Sequence, residues 1–385
     1  MHLIRLVHPF TQMCAQVQQR RPPSFAYLSD EVAARYAQLT SEGVYDLMPK
    51  ELFWQARQRF LADHGYLLRP RYIPGWRPSW SNTKLALTFC EDSILLIDYQ
   101  VMDATRVPTN EIVAIKSFSR ARQELDIAQF LSSISDPMNH CVPIHEILLD
   151  PHNPTLALMV MPYLRPCNNP NFGTIGDIIE FIDQTLEGLV FMHKHRVAHR
   201  DVAVENIMMD AKPLYPEGHH PVRIGYTPDG IYPVTPLPRA GRSVKYFYID
   251  FGLSSRFPEG VSSQVVGELG RDRDVPELSA DLPYDAFKVD IFCLGNLYSK
   301  EFEQEYQHMD FLLALIEPMT KLDPALRPTA EQALRQWEKT RATIADYLFR
   351  WRLARKTEQA IERVVNDTVA VAWEGIYHLR KLVTS

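Results

Sequence analysis

Residues 197–210 read VAHRDVAVENIMMD. Three polar side chains in a row, His199, Arg200 and Asp201, and a separate Asn206 sit between apolar flanks formed by Val197 and Ala198 on one side and Ile207, Met208 and Met209 on the other. Polar groups set in an apolar run are costly unless each finds a partner, so this stretch predicts a closed hydrogen-bond network or a bound ligand. The surrounding chain decides between them. Upstream, Ile178, Ile182, Leu186, Leu189 and His193 recur at helical spacing and predict a long helix from Ile175 that stops just short of the motif. Downstream, residues 207–249 hold Pro213, Pro216, Pro221, Pro228, Pro233, Pro236 and Pro238, too many for a helix or a central strand, and predict a long exposed loop with a β excursion.

Farther out, the hydrophobic period divides the chain. Leu52, Phe53, Ala56, Phe60 and Leu61 predict a helix within residues 46–66, followed by RPRYIPGWRPSW (69–80), an extended connector rich in proline and aromatics. SILLIDY (93–99), QVMDATR (100–106) and EIVAIKSF (111–118) read as strands of a small antiparallel sheet. From Ile175 onward the period is mostly helical. Beyond residue 340, Ile344, Tyr347, Leu348 and Trp351 predict an amphipathic helix packed back on the body. The domain organisation expected is an extension over 1–85, a β-rich lobe over 86–163, a helical lobe over 164–340 containing the 207–249 insert, and a helical tail over 341–385.

Composition excludes several classes. With 385 residues, 46% hydrophobic, 23% charged and a formal net charge of −6, the chain reads as a soluble globular protein with no basic face for nucleic acid. Cys14, Cys90, Cys141, Cys167 and Cys293 are odd in number and scattered, which fits free thiols in a reducing compartment. No apolar run approaches the roughly 20 residues of a membrane span, so no membrane partner is expected. Residues 1–29 lack Asp and Glu but carry Arg5, Arg20 and Arg21, a bias shared by mitochondrial presequences and by ordinary acid-poor leaders. The expectation is a cytoplasmic monomer. Among the remaining histidines, His193, His195, His219 and His220 show no metal-ligand spacing and read as structural.

Four fragments in one order, VAIK (113–116), HRD (199–201), Asn206 and DFG (250–252), make the chain resemble the protein kinase family. The resemblance runs from about residue 93 to 337 and implies an α+β bilobal fold, with a small antiparallel β N-lobe and a helical C-lobe. It implies ATP and Mg²⁺ as cofactors and a protein as the phosphate acceptor. Lys116 would contact the α- and β-phosphates and be held by Glu124 of RQELDIAQFL (122–131). Asp201 would orient the acceptor hydroxyl and take its proton, His199 would prop the loop, and Arg200 would offer a fixed positive fork. Asn206 and Asp250 would be the metal ligands. Ala114, Met161 as gatekeeper, and the hinge Pro162–Leu164, with Tyr163 at its centre, would receive adenine. In the C-lobe, Asp290 would tether the catalytic loop, and Glu277 of VPEL would pair with Arg327, a pair that favours a protein-kinase C-lobe over that of a small-molecule kinase. CEDSI (90–94), VMDATR (101–106) and the long insert are similar to divergent kinase-like proteins of mushroom-forming fungi.

Two departures stand out. No glycine lies between Gly75 and Gly173, so the Gly-rich loop that should close over the phosphates is missing and the Asp98–Gln100 turn must serve in its place. Ala203 stands where most Ser/Thr kinases place a lysine, while Glu205 looks Ser/Thr-like. The hydroxyls of segment 253–274 are Ser254, Ser255, Ser262 and Ser263, and a phosphate on Ser262 or Ser263 is expected to pair with Arg200. Two functions follow from this pattern: an active, divergent kinase, or a pseudokinase that binds nucleotide or acts as a scaffold.

Overall fold

Alternation along the strands builds the first layer of the computed structural model, which describes residues 22–121 and 123–359. Strands β1 (Tyr66–Leu68), β2 (Val101–Arg106), β3 (Glu111–Ser119), β4 (Glu146–Leu149) and β5 (Leu156–Pro162) form one antiparallel sheet in the order β1-β2-β3-β5-β4. Helix α1 (Asp30–Ser41) is capped by Ser29, and α2 (Pro49–Asp63) brings Trp54 and Leu61 onto the sheet face made by Met102, Ala104, Val113, Ile115, Leu158 and Val160. Because successive side chains on a strand point to opposite faces, Ala114 and Lys116 of β3 face the other way, into the cleft. Helix α3 (Glu124–Ser132) lies on that side, burying Ile127, Ala128 and Leu131.

The second layer is helical. Helix α4 (Ile175–Lys194) starts at a Thr174–Asp177 capping box and buries Ile178, Ile182, Leu186 and Leu189 completely. Helices α5 (Ala286–Tyr298), α6 (Leu313–Met319) and α7 (Ala330–Arg341) pack with it around one continuous core. Short ribbons carry the loops between them: β6 (Arg165–Pro166) with β8 (Ile207–Asp210) and β9 (Lys245–Tyr248), β7 (Val197–Ala198) with β10 (Ser255–Arg256), and β11 (Gln264–Gly267) with β12 (Ser279–Asp285). A β-sheet lobe joined to a helical lobe is the α+β bilobal architecture expected from the change of period. No helix among the described residues is long and apolar enough to cross a membrane.

Four expectations need correction. SILLIDY is not a strand, because the place beside β2 is already paired by β1; Leu96 alone is buried there, while Leu95 and Ile97 are exposed. β1 and α2 come from the segment read as an extension before residue 86, and both belong to the N-lobe. The 207–249 insert is not an exposed loop: it buries Leu214, Tyr215, His219, His220 and Arg239 against the rest of the molecule. The stretch after residue 341 runs through a 3-10 turn at Asp346–Arg350 instead of an α-helix, since residues 351–353 extend along the start of α4, with Ile175 N–H donating to Trp351 O and Leu353 N–H to Gly173 O. The acid-poor leader up to residue 21 and the tail from residue 360 lie outside the described residues.

Candidate active site

Lys116 is where the two lobes meet. Its Nζ donates to Glu124 Oε1 at 2.6 Å and to Asp250 Oδ1 at 3.0 Å. Burial pulls the Lys116 ammonium down, but the Glu124 and Asp250 carboxylates outweigh it and hold its pKa above the usual lysine value. Burial likewise pushes the Asp250 carboxyl up, and the Lys116 charge and hydrogen bonds more than reverse it. Both groups therefore stay ionised at neutral pH. The backbone of Asp250 is left-handed, with φ 62°, a conformation that Asp tolerates better than most residues. At Gly252 a Cβ would press on Asp250 Oδ1 at 3.3 Å, so any larger residue would have to shift that carboxylate.

The opening stretch folds into a hydrogen-bond network around Asp290 and Asp201. Asp290, fully buried in α5, accepts from His199 N at 2.8 Å on Oδ2 and from Arg200 N at 2.6 Å on Oδ1, and His193 Nε2 lies 2.9 Å from the same Oδ2. These bonds hold Arg200 at φ 65°, a strained geometry for an arginine that costs about 1–3 kcal/mol. His199, completely buried, places Nε2 3.0 Å from Ile249 O and packs its ring on Phe251, coupling the loop to the Asp-Phe-Gly turn. Asn206 Nδ2 donates to Asp201 O and Asp201 Oδ2, both at 2.8 Å, which leaves its carbonyl oxygen for another partner. Arg200 spends its guanidinium on Leu253 O, Ser255 Oγ, Val266 O and Tyr284 Oη. Ser263 donates to Asp285 Oδ1, so a phosphate on Ser263 would meet a carboxylate there.

A cavity of about 960 Å³ opens beside this network and is lined by Lys116, Glu124, Asp201, Asp250 and Gly252 on one side. Lys50 and Phe53 of α2 and the Asp98–Gln100 turn line the other. β1 leaves the sheet after Leu68, so no β1–β2 hairpin covers the cavity. The turn takes that position, held by Trp54 Nε1 donating to Tyr99 O at 2.9 Å and by Gln100 N–H donating to Asp98 Oδ1 at 2.8 Å. Ala114 and Met161 face each other across β3 and β5 in the cleft, outside the walls of this cavity. Tyr163 turns its hydroxyl to Pro221 O of the insert, 2.7 Å away. Lys50 carried no sequence signal, because a helical lysine sixty-six residues before the strand lysine looks like any solvated charge.

Asn206 and Asp250 offer an amide oxygen and a carboxylate, a donor set that fits Mg²⁺, which binds proteins through one or two such groups together with substrate phosphates. No group of three or more His, Cys, Asp or Glu among the described residues forms a complete metal cage.

No curated protein matches this chain. A family model described as protein kinase domain matches residues 99–300, just over half of the 385 residues, and spans β2, Lys116, the loop from His199 to Asn206 and helix α5. With the lysine and the two aspartates lining one interlobe cavity and the buried asparagine bonded to one of those aspartates, that match makes the chain a member of the protein kinase domain family.

Proposed function

We propose that the protein transfers the γ-phosphoryl group of Mg-ATP to a protein hydroxyl, serine or threonine in preference to tyrosine. The observation that carries this reading is Lys116 bridging Glu124 and Asp250 at the edge of a cavity that Asp201 also lines. Phosphoryl transfer requires positioning and charge stabilisation more than covalent chemistry, and these side chains are already ordered for it. Lys116 would hold the α- and β-phosphates. Asp201, its carboxylate oriented by Asn206, would align the acceptor hydroxyl and receive its proton. Asn206 and Asp250 would hold Mg²⁺, which when bound neutralises phosphate charge. Ala114, Met161 and Tyr163 would border the adenine. We also place the chain, as a proposal, among the divergent kinase-like proteins of mushroom-forming fungi.

The lid distinguishes this protein from a standard kinase. A Gly-rich loop grips phosphates with backbone N–H groups, each worth about 1.5–3 kcal/mol toward a charged partner, and this chain has a side-chain turn and Lys50 instead. ATP binding should therefore be weak and Mg²⁺-dependent. The missing hairpin also favours the alternative, a pseudokinase that binds nucleotide without transfer. The test is transfer of labelled γ-phosphate with Mg²⁺ and with EDTA. Wild type should be active only with Mg²⁺, and Asp201→Asn should lose about 10²–10⁴-fold. Nucleotide binding without transfer at saturating ATP would establish the pseudokinase.

A further inference from the structure

We infer that Arg271 supplies the cation that Ala203 leaves out of the catalytic loop, acting on the transferred phosphoryl through its guanidinium and on Asp201 through its backbone. The inference rests on the phosphotransfer reading. Arg271 N–H donates to Asp201 Oδ1 at 2.7 Å, and Arg271 Nε stands 3.7 Å from Asp201 Oδ2. With Asn206 on Oδ2 at 2.8 Å, both carboxylate oxygens are oriented. The approach depends on the residue before it: Gly270 has φ +154°, which side chains rarely adopt. The residue after it is pinned independently. Asp272 turns away to accept from Asn296 Nδ2 at 3.0 and 2.8 Å, and neighbouring Asp274 pairs with Lys300 at 2.6 Å. Arg271 is thus presented to the catalytic loop while its acidic neighbours are held by Asn296 of α5 and by Lys300 just past its end. Its side chain is half exposed, and Asp201 is its one acidic partner among the described residues.

In the reaction, the acceptor oxygen bonds to the γ-phosphorus as the bond to the ADP oxygen breaks, the hydroxyl proton passes to Asp201, and ADP leaves. Charge spreads over three equatorial oxygens, and a guanidinium fork beside Asp201 can meet two of them.

The test measures initial rates of labelled phosphate transfer by the full chain to a degenerate Ser/Thr peptide mixture, across ATP concentrations. Arg271→Ala should lower kcat about a hundredfold, with the KM for ATP changing by less than about threefold. Arg271→Lys should retain part of the rate. Ala203→Lys added to Arg271→Ala should restore at least about tenfold, a rescue that a merely structural arginine would not allow. Melting curves accompany each variant, and Arg271→Lys keeps the test decisive if the alanine variant does not fold. An unchanged or faster Arg271→Ala enzyme, the latter marking the contact as a block on Asp201, overturns the inference, as does failure of the lysine rescue. A wild type that transfers nothing at saturating Mg-ATP overturns this and the kinase reading together, whereas wild-type transfer that survives Arg271→Ala overturns this one alone.

Discussion

Arg327 shows how much of this fold depends on single charged side chains. Its guanidinium is buried and gives two bonds to Glu277, at 2.5 and 2.8 Å, and further bonds to Lys321 O, Lys288 O and Leu322 O. Glu277 belongs to the segment that carries Arg271, so the pair ties the end of that segment to the loop before α7. Removing one partner leaves the other charge buried and unpaired, typically at a cost of about 3–5 kcal/mol. Arg327→Ala should therefore melt well below wild type, and a coincident thermal unfolding curve would contradict this assignment. Asp290 works on the same scale with opposite chemistry: a buried acceptor, it stabilises a strained arginine by taking two backbone N–H groups.

At the scale of elements, the Asp98–Gln100 turn borders the cavity that no β1–β2 hairpin covers. The chain between β1 and β2 leaves the sheet for thirty-two residues, from Arg69 to Gln100, instead of making a tight hairpin. Buried pairs hold that excursion in place, Arg71 with Glu51 of α2 at 2.7 Å and Arg69 with Asp103 at 3.1 Å. The Asp98–Gln100 turn then rests on α2 through Trp54, whose indole is fully buried. Trp54→Phe keeps most of the apolar volume and deletes the bond to Tyr99 O, a loss of about 1 kcal/mol. The KM for ATP should rise several-fold, by roughly the factor that energy implies, with kcat preserved. Steady-state kinetics decide it, and an unchanged KM would remove the turn from the phosphate site.

On the scale of the whole molecule, the insert between β8 and β9 joins the lobes from outside the hinge. It receives Tyr163 Oη at Pro221 O and Arg165 Nη1 at Ile224 O, at 2.7 and 2.6 Å, and reaches the N-lobe through Arg223 Nη1 to Thr88 O at 3.0 Å and His220 Nε2 beside Glu91 Oε1 at 3.2 Å. Val222 packs against the N-lobe core. A segment bonded to both lobes limits how far they can hinge apart. His220→Ala with Arg223→Ala removes the polar contacts on the N-lobe side of this bridge, about 2–3 kcal/mol of net hydrogen bonding, and leaves Val222 packed there. Hydrogen exchange should then rise across residues 219–234 and in the 87–97 segment they touch, while exchange in α4 stays as in wild type. Unchanged exchange in both segments would mean that the lobes are coupled elsewhere.

The sequence by itself determined the bilobal α+β fold, helix α4, strands β2 and β3, and membership of the kinase family. These rest on local period and on motif order, which every residue carries wherever it sits. It also marked the missing glycines and Ala203 as the points where the site departs from its family. It could not say what replaced them. SILLIDY has the composition of a strand but lost its place to Tyr66–Leu68, and the proline-rich insert reads as exposed although His219 and His220 are buried. Lys50 and Arg271 reach the site from 66 residues before Lys116 and 70 after Asp201, and no local pattern records such a meeting. Only tertiary structure decided those placements, because edge pairing, burial of a loop and approach of a distant cation depend on which surfaces compete for contact in space.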